Sequence, residues 1–337
     1  MNKKSTSQKG VSLLEDIRKT SIKKIREQSV IDTIIDLRAN KYSVLDSLGL
    51  HEMKAEMSEV GKSCQKILKM AEKLARHQFG DKDKALRIAM AKVLSWSAPA
   101  EIAGVFPKPG KCLVFGFNHP TLGEIFRMIG VCITEYSNRR YLFPVNIVWY
   151  EELAPMAARM EKFGLYIVPT ITPATRQKMA EKLDDTRLEL VDYLAEGFNK
   201  SYLNACAEFV ESKDIIMIAP SATRQRTVFK SFEAFQGRER IRPQTMTILA
   251  RELKRRNKLD CFFVPVAVVP PFDGDNGLNQ FKPYRISACS WISPEAINRL
   301  IKSRNSETNE RKLEHYFLEQ ITDELSELNA DYLIYPY

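Results

Sequence analysis

The sequence predicts an α/β protein in which a mixed sheet flanked by helices follows a smaller helical N-terminal domain. Three observations lead there. Up to about residue 104 apolar residues recur at three- and four-residue spacing without a convincing strand, the signature of packed helices. Beyond Pro107, Pro109 and Gly110, short β-rich runs alternate with helix-like segments, which implies a sheet built with helical connections. The composition, 44% apolar and 28% charged over 337 residues, provides a sizeable core and room for one large domain with a small companion.

Residues 1–10 read as a flexible polar tail. Residues 11–104 read as the helical domain, with Leu13, Ile17, Ile22 and Ile25, then Ile67, Met70 and Leu74, marking buried stripes. Arg18, Lys19, Lys23, Lys24 and Arg26 interleave with the first stripe. They read either as a solvated helix face, the favoured alternative, or as a face lying on an anionic membrane. Residues 105–337 form the α/β domain. Strands are expected at 112–117, 145–149, 165–168, 215–219, 262–269 and 285–289, with helices from about 121, at 174–194 and at 244–256. Pro265 lacks a backbone N–H, which marks the run 262–269 as a buried edge strand. The stretch 273–279, rich in Gly, Asp and Asn, reads as a loop.

Several function classes drop out on composition. The most apolar run, 261–272, is about a dozen residues long and carries three prolines, too short and too broken to span a bilayer. The polar N-terminus lacks the apolar run of a secretory signal, so a cytoplasmic location, with peripheral membrane contact as a variant, is expected. The six cysteines lack paired short spacings and read as buried free thiols, and His51, His77 and His315 have no metal-ligand partner at suitable spacing. Lys plus Arg number 51 against 42 Asp plus Glu, a net charge of +9 that favours anionic partners. No nucleic-acid motif or basic–aromatic interleaving accompanies that charge, so phosphorylated small molecules, acidic carriers or anionic lipid are expected instead.

Two stretches carry chemistry. Phe117-Asn118-His119-Pro120-Thr121-Leu122-Gly123-Glu124 follows an apolar strand and precedes an apolar helical run. Ligand sites in α/β folds lie at such strand ends, and Pro120 suits a first helical turn. A carboxylate at Glu124 bonded to one ring nitrogen of His119 would hold the tautomer and support the imidazolium, while the other nitrogen takes a proton from a hydroxyl. The same spacing also arises by chance, with the histidine a cap or core residue. The second stretch, Ala219-Pro220-Ser221-Ala222-Thr223-Arg224-Gln225-Arg226, also ends a strand. Arg224 and Arg226, with the hydroxyls of Ser221 and Thr223, make a phosphate cradle, because the guanidinium fork pairs with phosphate oxygens; the alternative is a basic surface loop.

Together, and in this order, the stretches resemble the glycerolipid acyltransferase family, whose first motif is Asn-His-x-x-x-x-Asp and whose later motif follows a strand. The later motif is most similar to that of the soluble, plastid-type glycerol-3-phosphate acyltransferases, Ala-Pro-Ser-Gly-Gly-Arg-x-Arg, matched here at Ala219, Pro220, Ser221, Arg224 and Arg226. The resemblance covers about residues 105–295. It implies the glycerolipid acyltransferase fold, a general base at His119 oriented by Glu124, and an acceptor phosphate held by Arg224 and Arg226 with Ser221 and Thr223. Glu124 stands where the family has Asp, and Ala222-Thr223 where it has Gly-Gly.

The implied reaction is glycerol-3-phosphate O-acyltransfer: a fatty acyl chain moves from acyl carrier protein or coenzyme A to the sn-1 hydroxyl, in phospholipid synthesis. The thioester supplies the activated carbonyl, so neither cofactor nor metal is expected. The family's intermediate motif has its counterpart between Leu165 and Lys178, and Val264-Pro265-Val266-Ala267 resembles its last, acyl-lining motif. The alternatives are a lysophosphatidate acyltransferase and a catalytically silent lipid- or anion-binding relative.

Overall fold

A computed structural model of the chain describes residues 23–55, 58–78, 83–108, 110–118, 124–219, 245–271, 282–302 and 312–327. The protein is α/β, with helices flanking a seven-stranded mixed sheet. Its strands are β1 (Ala100–Ala103), β2 (Cys112–Phe117), β3 (Tyr141–Asn146), β4 (Leu165–Thr170), β5 (Ile215–Ile218), β6 (Cys261–Val269) and β7 (Tyr284–Ala288), arranged β1-β7-β6-β2-β5-β3-β4. The four strands β6, β2, β5 and β3 run parallel, and β7 is antiparallel to β6 with β1 parallel to β7. Every residue of β2 and β5 is buried, as expected for interior parallel strands covered on both faces. Among the described residues no helix is long and apolar enough to cross a membrane.

The chain divides into two compact units, each made of two stretches of sequence: 1–69 with 143–205, and 70–142 with 206–337. In the first, α1 (Lys23–Arg38), α2 (Val44–Leu48) and α3 (Glu52–Ala55) come from the first stretch, together with the start of α4 (Ser58–Gln78). The second stretch supplies α7 (Ile147–Leu153), α8 (Ala157–Lys162), α9 (Pro173–Ala180) and most of α10 (Asp185–Glu211). Val30, Leu45, Leu48, Tyr150, Leu194 and Phe198 anchor its core. The Glu151 carboxylate accepts from the Ser43 hydroxyl at 2.6 Å and the Leu45 N–H at 2.9 Å, closing the start of α2. Gly49 then ends that helix in the left-handed region, φ 78°, where a side chain would be strained.

The second unit holds β1, β2, β5, β6 and β7. Its helices include α5 (Asp83–Ser97), α6 (Glu124–Glu135), α11 (Thr245–Arg255), α12 (Pro294–Lys302) and α13 (Lys312–Glu327). Phe317 of α13 packs edge-on against Phe263 of β6, with centroids 6.1 Å apart. Asp214, just before β5, accepts from the Arg140 N–H at 2.8 Å and from its Nε at 2.7 Å, tying the starts of β3 and β5 together.

Four expectations about strands and helices change. A strand exists before residue 104: Ala100–Ala103 pairs with β7, a partner about 180 residues away that no local pattern announces. The expected strand 145–149 is the end of β3 followed by α7, because the Asn146 side chain accepts the Val148 N–H at 3.2 Å and caps a helix that buries Ile147 and Tyr150. The expected helix 174–194 is two helices. The second is capped by Asp184, whose Oδ1 accepts the Arg187 N–H at 2.8 Å. Finally, β6 is interior rather than an edge. The Pro265 carbonyl accepts from the Cys289 N–H at 2.9 Å, so the N-side of Pro265 faces the β7 flank rather than β2, and the β2–β6 ladder loses no donor at the proline.

Candidate functional site

The two chemistry-bearing stretches belong to the second unit and leave neighbouring strands. Strands β2 and β5 are parallel partners in the register Gly116↔Ile218, so Phe117 and Ala219 follow at the same end of the sheet. Adjacent strands lie about 4.8 Å apart. His119, Ser221, Thr223, Arg224 and Arg226 lie outside the described residues, as does the side chain of Glu124. The backbone of Glu124 begins α6, and a carboxylate in the first turn of a helix is favoured by its exposed N–H groups.

The described residues around this sheet end show how it is held. Asn118 is 4% exposed; its Nδ2 donates to the Val268 carbonyl at 2.9 Å, while its Oδ1 accepts the Val268 N–H at 2.7 Å. An amide side chain here does the work of a strand, extending the β2–β6 ladder past Phe117↔Val266. Only an amide has both a donor and an acceptor in this arrangement.

Arg127, one turn after Glu124, is 5% exposed, and its guanidinium lies 3.7 Å from the ring centroid of Tyr284. Tyr284 opens β7, which runs back along β6 from the Val269↔Arg285 pair, so this stacked cation also belongs to the C-terminal end of β6. Neither residue was given a role from sequence. The available signals were an amide directly after a wholly apolar strand and a lone arginine inside the apolar run 125–133.

The expected counterpart of the intermediate motif, 165–178, lies in the first unit. There Arg176 makes a bidentate pair with Asp192, at 2.5 and 2.8 Å, and that pairing holds the Asp192 carboxyl below its ordinary range. Thr172 caps α9 by accepting the Thr175 N–H at 3.2 Å, and Asn146 donates to the Thr175 hydroxyl at 2.5 Å. In the second unit, Val264-Pro265-Val266-Ala267 is fully buried within β6.

The six cysteines are buried and none forms a disulfide, as expected. Burial raises the Cys64 thiol to about 11 and the Cys289 thiol to about 12, which makes them poor nucleophiles at neutral pH. Among the described residues no three His, Cys, Asp or Glu side chains form a metal-holding group. No protein-family model matches the chain, and no curated protein is matched to it by sequence.

Proposed function

We propose that the protein transfers a fatty acyl chain from a thioester donor, acyl carrier protein or coenzyme A, to the sn-1 hydroxyl of glycerol 3-phosphate, on a glycerolipid acyltransferase fold. The observation that carries this reading is the adjacency of β2 and β5: the stretch with His119 and the stretch with Arg224 and Arg226 begin together at the carboxyl end of a parallel pair. A base and a phosphate cradle must act on two ends of one small acceptor, so their segments need to start close together. The mixed sheet flanked by helices is compatible with that fold.

In this reading His119 takes the proton of the acceptor hydroxyl as its oxygen attacks the thioester carbonyl. The tetrahedral intermediate expels the thiolate, which receives the proton back from the imidazolium. Glu124 supports the imidazolium and holds the ring tautomer, and Arg224 and Arg226, with Ser221 and Thr223, hold the phosphate.

The test is acyl transfer by the purified full-length protein with glycerol 3-phosphate and each donor, beside lysophosphatidate as competing acceptor. Transfer to glycerol 3-phosphate is expected, and His119→Ala is expected to lower kcat by about 100- to 10,000-fold with an unchanged circular dichroism spectrum. Acylation of lysophosphatidate alone would move the reading to that acceptor, and no transfer by the folded protein with either donor would leave a silent lipid- or anion-binding relative.

A further inference from the structure

Large hydrophobic side chains that stay exposed are concentrated in one part of the chain. Of the nine exposed among the described residues, five, Met70, Ile88, Trp96, Ile102 and Val105, fall between residues 70 and 105. Helix α5 presents Lys84, Ile88, Lys92 and Trp96 at successive four-residue steps, all exposed, and Trp96 is 60% exposed with the Lys92 ammonium 5.5 Å from its ring. The opposite face, with Ala85, Ala89, Met90, Val93 and Leu94, is buried, and Leu94 packs on Gly130 of α6. Apart from Asp83 at its start, α5 carries no acidic residue. In the same unit the end of α4 carries exposed Lys73 and Arg76.

We propose that the outer face of α5 docks the protein onto an anionic lipid surface. Lysines attract the headgroup charge, while Ile88 and the amphipathic ring of Trp96 enter the headgroup–acyl boundary. An indole beside ammonium groups suits that boundary, which is wet on one side and apolar on the other. Flexible, compact ammonium charges suit a fluid layer of headgroups, whereas geometric recognition of a folded acidic protein favours the arginine fork. The charge complementarity names the occupant, and it is independent of the acyltransferase reading because it uses none of the residues of that site.

The test is co-sedimentation of the full-length protein with phosphatidylcholine vesicles, with and without phosphatidylglycerol. Binding to the anionic vesicles is expected, weakening with salt, and accompanied by a blue shift of tryptophan emission that Trp96→Phe abolishes while binding persists. Each lysine near the surface is expected to contribute about fivefold, so the pair Lys84→Gln/Lys92→Gln should weaken binding about 25-fold. Ile88→Ser/Trp96→Ser should weaken it at least about tenfold with the fold intact by circular dichroism. Absence of vesicle binding, or binding that neither pair of substitutions alters, overturns the proposal. So does capture of an acidic soluble protein, acyl carrier protein being the probe, through the same lysines without vesicle binding.

Discussion

Asn118 and Arg127 are polar side chains in surroundings that usually exclude them, and both sit beside the stretch that carries His119. Replacing Asn118 by Ala removes both partners of Val268 and leaves a buried N–H and C=O unsatisfied. Each such loss costs about 1–3 kcal/mol, so chemical denaturation is expected to show a destabilisation of about 2–6 kcal/mol. Arg127→Met keeps an aliphatic stem but removes the cation over Tyr284, an interaction of about 2 kcal/mol where water is excluded. A loss of about 1–2 kcal/mol is therefore expected on denaturation; an unchanged midpoint would show that the stacked charge does not stabilise the fold. On the proposed function, Arg224→Ala and Arg226→Ala would each remove a charge-assisted bond of about 1.5–3 kcal/mol to the acceptor phosphate, and acceptor KM is then expected to rise by about ten- to a hundredfold. Donor KM should hold; a rise in donor KM alone would place these arginines against the carrier instead.

Among the elements, two glycines of the first unit separate crowding that can relax from crowding that cannot. A Cβ at Gly61 of α4 would meet the Glu152 side chain from its Cγ to its carboxylate, a flexible chain that can swing away. One at Gly197 of α10 would meet Val30 of α1 at 2.4 and 3.0 Å, at the methyls of a β-branched side chain with no free rotamer to retreat to. Gly197→Ala is expected to cost about 1–3 kcal/mol, and Gly61→Ala under about 1 kcal/mol. Pairing Gly197→Ala with Val30→Ala should return less than the sum of the two single losses, which a double-mutant cycle measures. The buried stripe of α4 follows from the same close approach. It is Gly61, Cys64, Leu68, Ala71 and Ala75, small apart from Leu68, with Leu68, Ala71 and Ala75 one position after the expected Ile67, Met70 and Leu74, and Met70 is left exposed.

At the scale of the whole molecule the buried thiols report on folding. A thiol whose pKa is raised in the folded state favours folding fully below its unfolded value, about 8.5, and that contribution is lost as pH rises through the folded value. For Cys64 and Cys289 the folded values are about 11 and about 12, so stability is expected to fall progressively above about pH 8.5. Iodoacetamide at pH 7.5 should label none of the six cysteines in the folded chain and all of them in denaturant. Fast labelling of the native protein would show a local opening that reaches the core.

The sequence by itself determined what depends on near neighbours. The β2, β5 and β6 runs, the α6 and α11 helices and the free thiols were legible because apolar periodicity and composition act over a few residues. The two candidate stretches stand out in the sequence for the same reason, each a short pattern following a strand that the structure shows. The tertiary structure decided what depends on distant partners: that Ala100–Ala103 becomes a strand against β7, that a proline-bearing strand lies inside the sheet, and that residues 143–205 form a compact unit with the first 69. It also decided that β2 and β5, about a hundred residues apart in the chain, are neighbours at the candidate site. Such pairings arise from burial of whole faces against one another, and no local window of sequence contains both sides of the contact.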